Sequence, residues 1–139
     1  MSGNRGVMRV LAVLALLVLG CSKGPEEPAE PIWGKHACAH CAMLVTEKPP
    51  SAQLTLEDGT RMYFDDVGCM VAHLDREQVV PRRMWVRKGE GWVPAAEARY
   101  ASGESTPMDF GFVATAAGVS WQEVQAAVRA RVRPPGGTP

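Results

Sequence analysis

Residues 52–66 read AQLTLEDGTRMYFDD, and this stretch decides the fold. Two runs rich in strand-forming residues flank Asp58-Gly59, a pair that suits a hairpin turn because glycine reaches positive φ without steric strain. Asp65 or Asp66 is suited to cap a following helix, since a short carboxylate accepts the free N–H groups of a first helical turn. We expect the other aspartate to face a partner or to lie behind metal ligands. The stretch therefore predicts a β-hairpin, a carboxylate cap and a helix.

The elements around this stretch predict an α+β fold with a small ββαβ-type unit in the first half. Ser120 and Glu123 form a capping box, because each side chain can accept the other residue's free amide at the start of a helix. No residue-level repeat is visible, so it stays open whether the second half is a related ββαβ unit in tandem. The expected elements are strands at 52–56, 61–64, 84–87, 91–93, 98–102 and 110–114, and helices at 67–75 and 120–132.

The N-terminus is typical of an exported lipoprotein. Arg5 and Arg9 precede an apolar run of about ten residues, roughly half of what a membrane-spanning helix needs. The run ends in Val-Leu-Gly-Cys21, which resembles the bacterial lipobox. We therefore expect a signal peptide at 1–20, a lipidated Cys21 and anchoring at the periplasmic face of a bacterial membrane. The alternative is an ordinary signal peptide with a coincidental cysteine.

Three further segments follow from composition. Residues 21–32 form a tether that begins with the lipidated cysteine and continues as a proline- and glutamate-rich spacer, which is too polar to bury apolar surface. Residues 33–133 form the folded metal-binding domain, and residues 134–139 form a disordered tail rich in proline and glycine.

The charge pattern gives no support to nucleic-acid binding. The chain has 15 basic and 15 acidic side chains, and removal of Arg5 and Arg9 with the signal peptide leaves it slightly acidic. The sequence also contains no nucleophile elbow, phosphate-binding loop or histidine-rich motif for a metal-bound water. We therefore expect a binding protein and not an enzyme.

Sulfur side chains gather in two short segments, each with histidine. Residues 36–43 read HACAHCAM, and residues 68–73 read GCMVAH. Thiolate and thioether ligands suit Cu(I), which needs few ligands, whereas magnesium and calcium prefer oxygen. The predicted ligands are Cys38, Cys41, Met43, Cys69, Met70, His73 and Met108.

These candidates differ in strength. Cys69 and His73 are four residues apart on one helical stripe, a spacing at which two side chains can meet one ion. Met70 lies on the apolar face of the same helix and fits core packing equally well. Met108 lies in a polar loop, where a core role explains a thioether less readily.

The pair Cys38 and Cys41 has four interpretations. It could belong to the copper site, or to a zinc site completed by Cys69 and one histidine. It could form a structural disulfide in an oxidising compartment, which would staple a scaffold lipoprotein. It could also be the redox pair of a thiol-disulfide oxidoreductase, although no strand precedes it and no helix is predicted directly after it.

The order of these motifs resembles the NosL family, the lipoprotein accessory factors of nitrous oxide reductase. The matching features are Cys38-x-x-Cys-x-Met43, a hairpin, Tyr63-Phe-Asp-Asp-Val-Gly-Cys-Met70, Ala98-Arg-Tyr100 and Thr106-Pro-Met-Asp-Phe-Gly-Phe112. The resemblance covers residues 36–115. It implies a Cu(I)-binding periplasmic metallochaperone, built from two related ββαβ units. Such a protein passes copper to the Nos-type membrane assembly complex or to the apo-reductase.

Overall fold

The computed structural model describes residues 24–133, so the predicted signal peptide, Cys21 and the tail at 134–139 lie outside the described residues. The described chain is α+β as predicted, with two antiparallel sheets and two helices. Neither helix is long and apolar enough to cross a membrane. The elements are β1 (Ala52–Thr55), β2 (Arg61–Phe64), α1 (Val67–Glu77), β3 (Arg83–Lys88), β4 (Gly91–Pro94), β5 (Arg99–Ala101), β6 (Val113–Thr115) and α2 (Trp121–Val132).

The predicted hairpin is confirmed as β1 and β2. The strands pair antiparallel, with Ala52 opposite Phe64, and the turn between them contains Gly59 at φ 86°. The Asp58 carboxylate accepts the amide of Thr60 at 2.9 Å and closes the turn. All four residues of β1 are buried, because β1 lies between two other strands and its faces are covered by α1 and by residues 24–32.

The predicted ββαβ unit is also confirmed. After the hairpin, α1 crosses to β3, which pairs with the free edge of β1, and the four-stranded sheet has the order β2-β1-β3-β4. Helix α1 is two residues longer than predicted and ends at Glu77, and its C-cap residue Gln78 adopts a left-handed conformation with φ 53°. Its apolar face contributes Val67, Met70 and Val71 to the core. Met70 is fully buried, as expected of a core residue.

The second half forms a shorter unit than a complete ββαβ repeat. Strands β5 and β6 pair antiparallel, and α2 follows with the predicted capping box of Ser120 and Glu123. The predicted apolar face of α2 is buried at Trp121, Val124 and Val128. No closing strand follows α2 within residues 24–133, so this half is ββα. Because α2 packs on α1 and β6 adjoins β3, both halves share one core.

The spacer prediction requires a correction for residues 24–32. This segment does not stand free but lies against polar side chains of the four-stranded sheet. The amide of Gln53 exchanges two hydrogen bonds with the backbone of Ala29, at 2.9 and 3.0 Å, and Thr55 donates to the carbonyl of Pro25. The backbone of such a segment can satisfy polar groups that a buried strand presents. The sheet therefore holds the segment through hydrogen bonds and through ion pairs of Glu26 and Glu30, and Pro31 is buried.

Candidate metal centre

A tight loop before β1 presents two of the three described cysteines. The amide of Cys38 donates to the carbonyl of Met43 at 2.7 Å, and the amide of Ala42 donates back to the carbonyl of Cys38 at 3.0 Å. Ala42 adopts a positive φ of 65°, which tightens the turn. The amide of Ala39 donates to the carbonyl of Tyr63 at 2.9 Å, so the loop is tied to β2. The loop therefore lies beside the point where β2 passes into α1.

The first turn of α1 supplies the other part of the site. Asp66 is the N-cap, and its carboxylate accepts the amide of Gly68 at 2.8 Å. This cap places Asp65 just before the helix and Cys69 at its third position. Asp65 and Cys69 are both buried. Their side chains face the cysteine loop.

The loop and the helix start form a cluster of four candidate metal ligands. The sulfur atoms of Cys38, Cys41 and Cys69 and a carboxylate oxygen of Asp65 all lie within 4.8 Å of one another. The Cys41 sulfur is 3.4 Å from both Asp65 oxygens. Cys38, Cys69 and Asp65 are buried, and Cys41 is partly exposed. This cluster, called the cysteine cluster below, could hold a metal ion.

All three thiols are free, so no disulfide joins Cys38 to Cys41 in the structure. A hydrogen bond from Cys69 lowers the pKa of Cys38 to about 7. Burial raises the pKa of Cys41 to about 11, and the shared hydrogen bond with Cys38 raises the pKa of Cys69. One proton therefore leaves the cluster readily, and the remaining thiols ionise when a cation replaces their protons.

Asp65 is the cluster member that sequence reasoning missed. The sequence offered two adjacent aspartates for one cap, and we expected the second to face a partner or to lie behind the ligands. The structure assigns the cap to Asp66 and places Asp65 among the sulfur atoms. The only signal for this in the sequence is that Asp65 immediately precedes the cap of the helix that carries Cys69.

His73 lies outside the cysteine cluster, although the helical spacing predicted that it would share an ion with Cys69. Its ring packs against Phe64 at a centroid distance of 5.4 Å and faces His40 at 6.4 Å. The short Cys69 side chain instead approaches Cys38 across the gap to the loop. Spacing of four places two residues on one stripe but does not aim both side chains at one point.

The three predicted methionine ligands occupy different environments. Met70 is buried in the core, whereas Met43 and Met108 are 47% and 37% exposed. Met43 adjoins the cluster. Its backbone carbonyl accepts a hydrogen bond from the Cys38 amide, and its own amide lowers the pKa of Cys41 through a hydrogen bond to the sulfur. The amide of Met108 donates to Asp66 at 3.1 Å, which holds this residue beside the start of α1.

The fold and the cluster define an α+β protein with a thiol-rich candidate metal centre at a helix N-terminus. No family model, curated protein or solved structure matches the chain.

Proposed function

We propose that this protein is a Cu(I)-binding metallochaperone, anchored by a lipid on Cys21 at the periplasmic face of a bacterial membrane. Its role is to deliver copper for the maturation of a copper enzyme. The observation that carries the proposal is the convergence of three free thiols with one carboxylate. Soft thiolates bind Cu(I) in preference to hard cations. The resemblance to NosL names the recipient as the Nos-type assembly complex or apo-nitrous oxide reductase.

The partial exposure of the cluster favours transfer of a bound copper ion to a partner protein over its permanent storage. Cys41 is partly exposed, while Cys38 and Cys69 lie behind it in the core. Two large apolar side chains beside it, Met43 and Leu44, are 47% and 50% exposed. A partner that approached this edge would reach the ion at Cys41 first, and its ligands could replace those of the chaperone one at a time.

Asp65 also favours a second candidate, a structural zinc site. A carboxylate oxygen is a harder donor than Cu(I) prefers, and three cysteines with one oxygen ligand can complete a tetrahedron around zinc. In the copper proposal Asp65 is not a ligand. It instead accepts a hydrogen bond from the Cys41 thiol and so orients that side chain.

The cluster geometry argues against a thiol-disulfide oxidoreductase. The attacking cysteine of such an enzyme is accessible and has the lower pKa of the pair. Here Cys38, whose pKa is lowered, is only 3% exposed, while the more exposed Cys41 has a raised pKa. No helix begins at this pair, and the helix start beside it belongs to α1, whose first turn carries Cys69.

Parallel metal titrations test the proposal. The full chain with Cys21→Ser, reduced and in detergent micelles, is titrated with Cu(I) and with Zn(II) against chelators of known affinity. We expect Cu(I) to bind far more tightly than Zn(II). Asp65→Asn should change Cu(I) affinity by less than about tenfold, because removing a group behind the ligands has a modest effect.

Asp58→Asn is the matched control, since this carboxylate lies in the hairpin turn away from the cluster. Preference for zinc that disappears in Asp65→Asn but not in Asp58→Asn would replace the copper proposal by the zinc site. Insulin reduction by the wild-type chain would instead support the oxidoreductase.

A further inference from the structure

Two histidines beside the cysteine cluster have buried ring nitrogens without a polar partner. Within residues 24–133, Nδ1 of His40 and both ring nitrogens of His73 are the only buried side-chain nitrogen or oxygen atoms without a hydrogen bond. His73 is only 6% exposed. Buried polar groups are almost always paired, because an unpaired one loses its hydrogen bonds to water without replacement. The ring nitrogens of His40 and His73 are therefore free to bind a ligand that comes from outside the described fold.

The separation of the rings fits one metal ion between them. Their centroids are 6.4 Å apart, and their planes are 89° apart. With metal–nitrogen bonds of about 2 Å and ring nitrogens about 1.1 Å from each centroid, a linear bridge gives a centroid separation of about 6.2 Å. A linear bridge requires one nitrogen of each ring on the line between the centroids, so one ring of this edge-to-face pair has to rotate when the ion binds. Cu(I) accepts two ligands in this way, whereas zinc requires four.

We propose that His40 and His73 form a second metal site, a two-coordinate site for Cu(I) or another soft monovalent cation. As a binding site it stands independently of the cysteine cluster. The further role of this site, as an intermediate site from which copper passes to that cluster, rests on the proposed function. No described residue other than these two is needed as a ligand.

The position of the two histidines suits an intermediate site for copper transfer. His40 lies in the loop between Cys38 and Cys41, and His73 lies one helical turn after Cys69. His40 also lines a cavity of about 310 Å³ that opens to solvent between α1 and the end of α2. An ion that entered from this cavity would meet the imidazoles before the thiolates. Transfer is ligand exchange: copper–nitrogen bonds break, copper–sulfur bonds form, thiol protons leave, and copper stays monovalent.

The local electrostatics allow a cation here. Burial lowers the pKa of both imidazoles, and the charge of Arg76 lowers that of His40 further. The carbonyl of Ala39 forms no hydrogen bond with the His73 ring but raises its pKa. Arg76 is paired with Glu77 at 2.6 Å, which offsets its repulsion of a bound ion.

Stoichiometry in the full chain tests the proposal. All proteins carry Cys21→Ser, are kept reduced and anaerobic in detergent micelles, and are titrated with Cu(I) against a chromophoric chelator. We expect two ions per wild-type chain and one in His73→Leu. This substitution removes no hydrogen bond, so we expect it to fold. The matched control is His36→Gln. It changes the one histidine of the chain that is not part of the proposed site, and it should retain two ions.

A second measurement separates this site from the cysteine cluster. Imidazole NMR signals are followed during Ag(I) addition to a chain with Cys38→Ser, Cys41→Ser and Cys69→Ser. We expect the signals of His40 and His73 to shift together at one equivalent, while His36 does not respond. One ion per wild-type chain with unchanged imidazole signals would overturn the histidine site and leave the copper proposal intact. Imidazole shifts without any thiol-dependent Cu(I) binding would overturn the proposed function instead.

Discussion

The two helices begin with similar caps but use their first turns differently. Each follows an antiparallel strand pair and starts at a side chain that accepts a backbone amide, Asp66 in α1 and Ser120 in α2. At the third helical position α2 has Glu123, whose carboxylate accepts the amide of Ser120 at 2.7 Å and closes the cap locally. The same position in α1 holds Cys69, whose sulfur points to the cysteine cluster. The start of α2 is therefore stabilised by its own side chains, whereas the start of α1 supplies a candidate metal ligand.

Tertiary contacts replace the missing local closure in α1. Besides the amide of Gly68, the Asp66 carboxylate accepts the amide of Met108 and interacts with the Thr106 hydroxyl. The second half of the chain therefore helps to fix the start of α1. A cap that depends on distant residues costs local stability but leaves Asp65 and Cys69 free for a ligand. The predictions below test this difference between the first turns of α1 and α2, from the largest expected effect to the smallest.

Gly68→Ala should have the largest effect, because the second helical position of α1 lies against the Phe110 ring. A Cβ atom at Gly68 would lie 2.0 Å from Cγ of Phe110, far inside van der Waals contact. We expect a loss of more than about 3 kcal/mol in the free energy of unfolding, at the upper end of overpacking effects. Urea denaturation followed by circular dichroism measures it. The control is Gln122→Ala at the same position of α2, which is exposed and should change stability by less than about 0.5 kcal/mol.

Cys69→Ser should weaken Cu(I) binding by more than about 100-fold, which is about 2.8 kcal/mol, because it removes a direct ligand. Competition with a chromophoric Cu(I) chelator measures the affinity. Glu123→Gln changes the corresponding position of α2 and should leave the affinity unchanged. Equal affinities for Cys69→Ser and wild type would mean that the helix start supplies no ligand.

Removing the two caps should have unequal effects on stability. Asp66→Ala leaves the amides of Gly68 and Met108 without their acceptor, so we expect a loss of about 2 kcal/mol. Ser120→Ala removes a local cap and should cost about 1 kcal/mol. Urea denaturation compares the two variants. Hydrogen exchange at the Met108 amide should accelerate only in Asp66→Ala, and similar acceleration in both variants would contradict a tertiary role for Asp66.

The local cap of α2 should be sensitive to acid. Hydrogen bonds from the Ser120 amide and hydroxyl lower the pKa of Glu123 below its ordinary value of 4.5. A lowered acidic pKa stabilises the fold above the unfolded value, and this contribution disappears as pH falls through the folded pKa. The stability difference between wild type and Glu123→Gln should therefore stay constant from neutral pH to about 5 and shrink below about 4.5. Gln122→Ala, which changes an exposed uncharged residue of the same helix, should show a stability difference that does not vary with pH.

Much of the fold could be predicted from local sequence patterns. The Asp58-Gly59 turn, the Asp66 cap and the Ser120–Glu123 box each depend on residues a few positions apart, so their geometry follows from backbone chemistry. The absence of a closing strand after α2 in the described residues 24–133 and the position of residues 24–32 were not predictable in this way. Both depend on which surfaces remain unpaired after the sheet and helices have packed.

The candidate site was predicted in part. Cys38, Cys41 and Cys69 were identified from their chemistry, because few roles other than metal binding, redox chemistry or a disulfide explain clustered thiols. Asp65 was missed, and His73, which was predicted to share an ion with Cys69, lies outside the cysteine cluster and faces His40, because both positions depend on side-chain direction. Local spacing restricts which residues share a face, but it does not determine where a short thiol and a long imidazole point.

The sequence by itself determined the hairpin, the two helices and the supply of soft ligands, since these follow from short-range periodicity and side-chain chemistry. Only the tertiary structure decided which ligands meet. It ties the loop of Cys38 and Cys41 to β2, brings Asp65 and Cys69 to that loop at the start of α1, and turns His73 toward His40. The physical reason is that a metal centre depends on distances between elements far apart in the chain, and these distances are set by packing of the shared core.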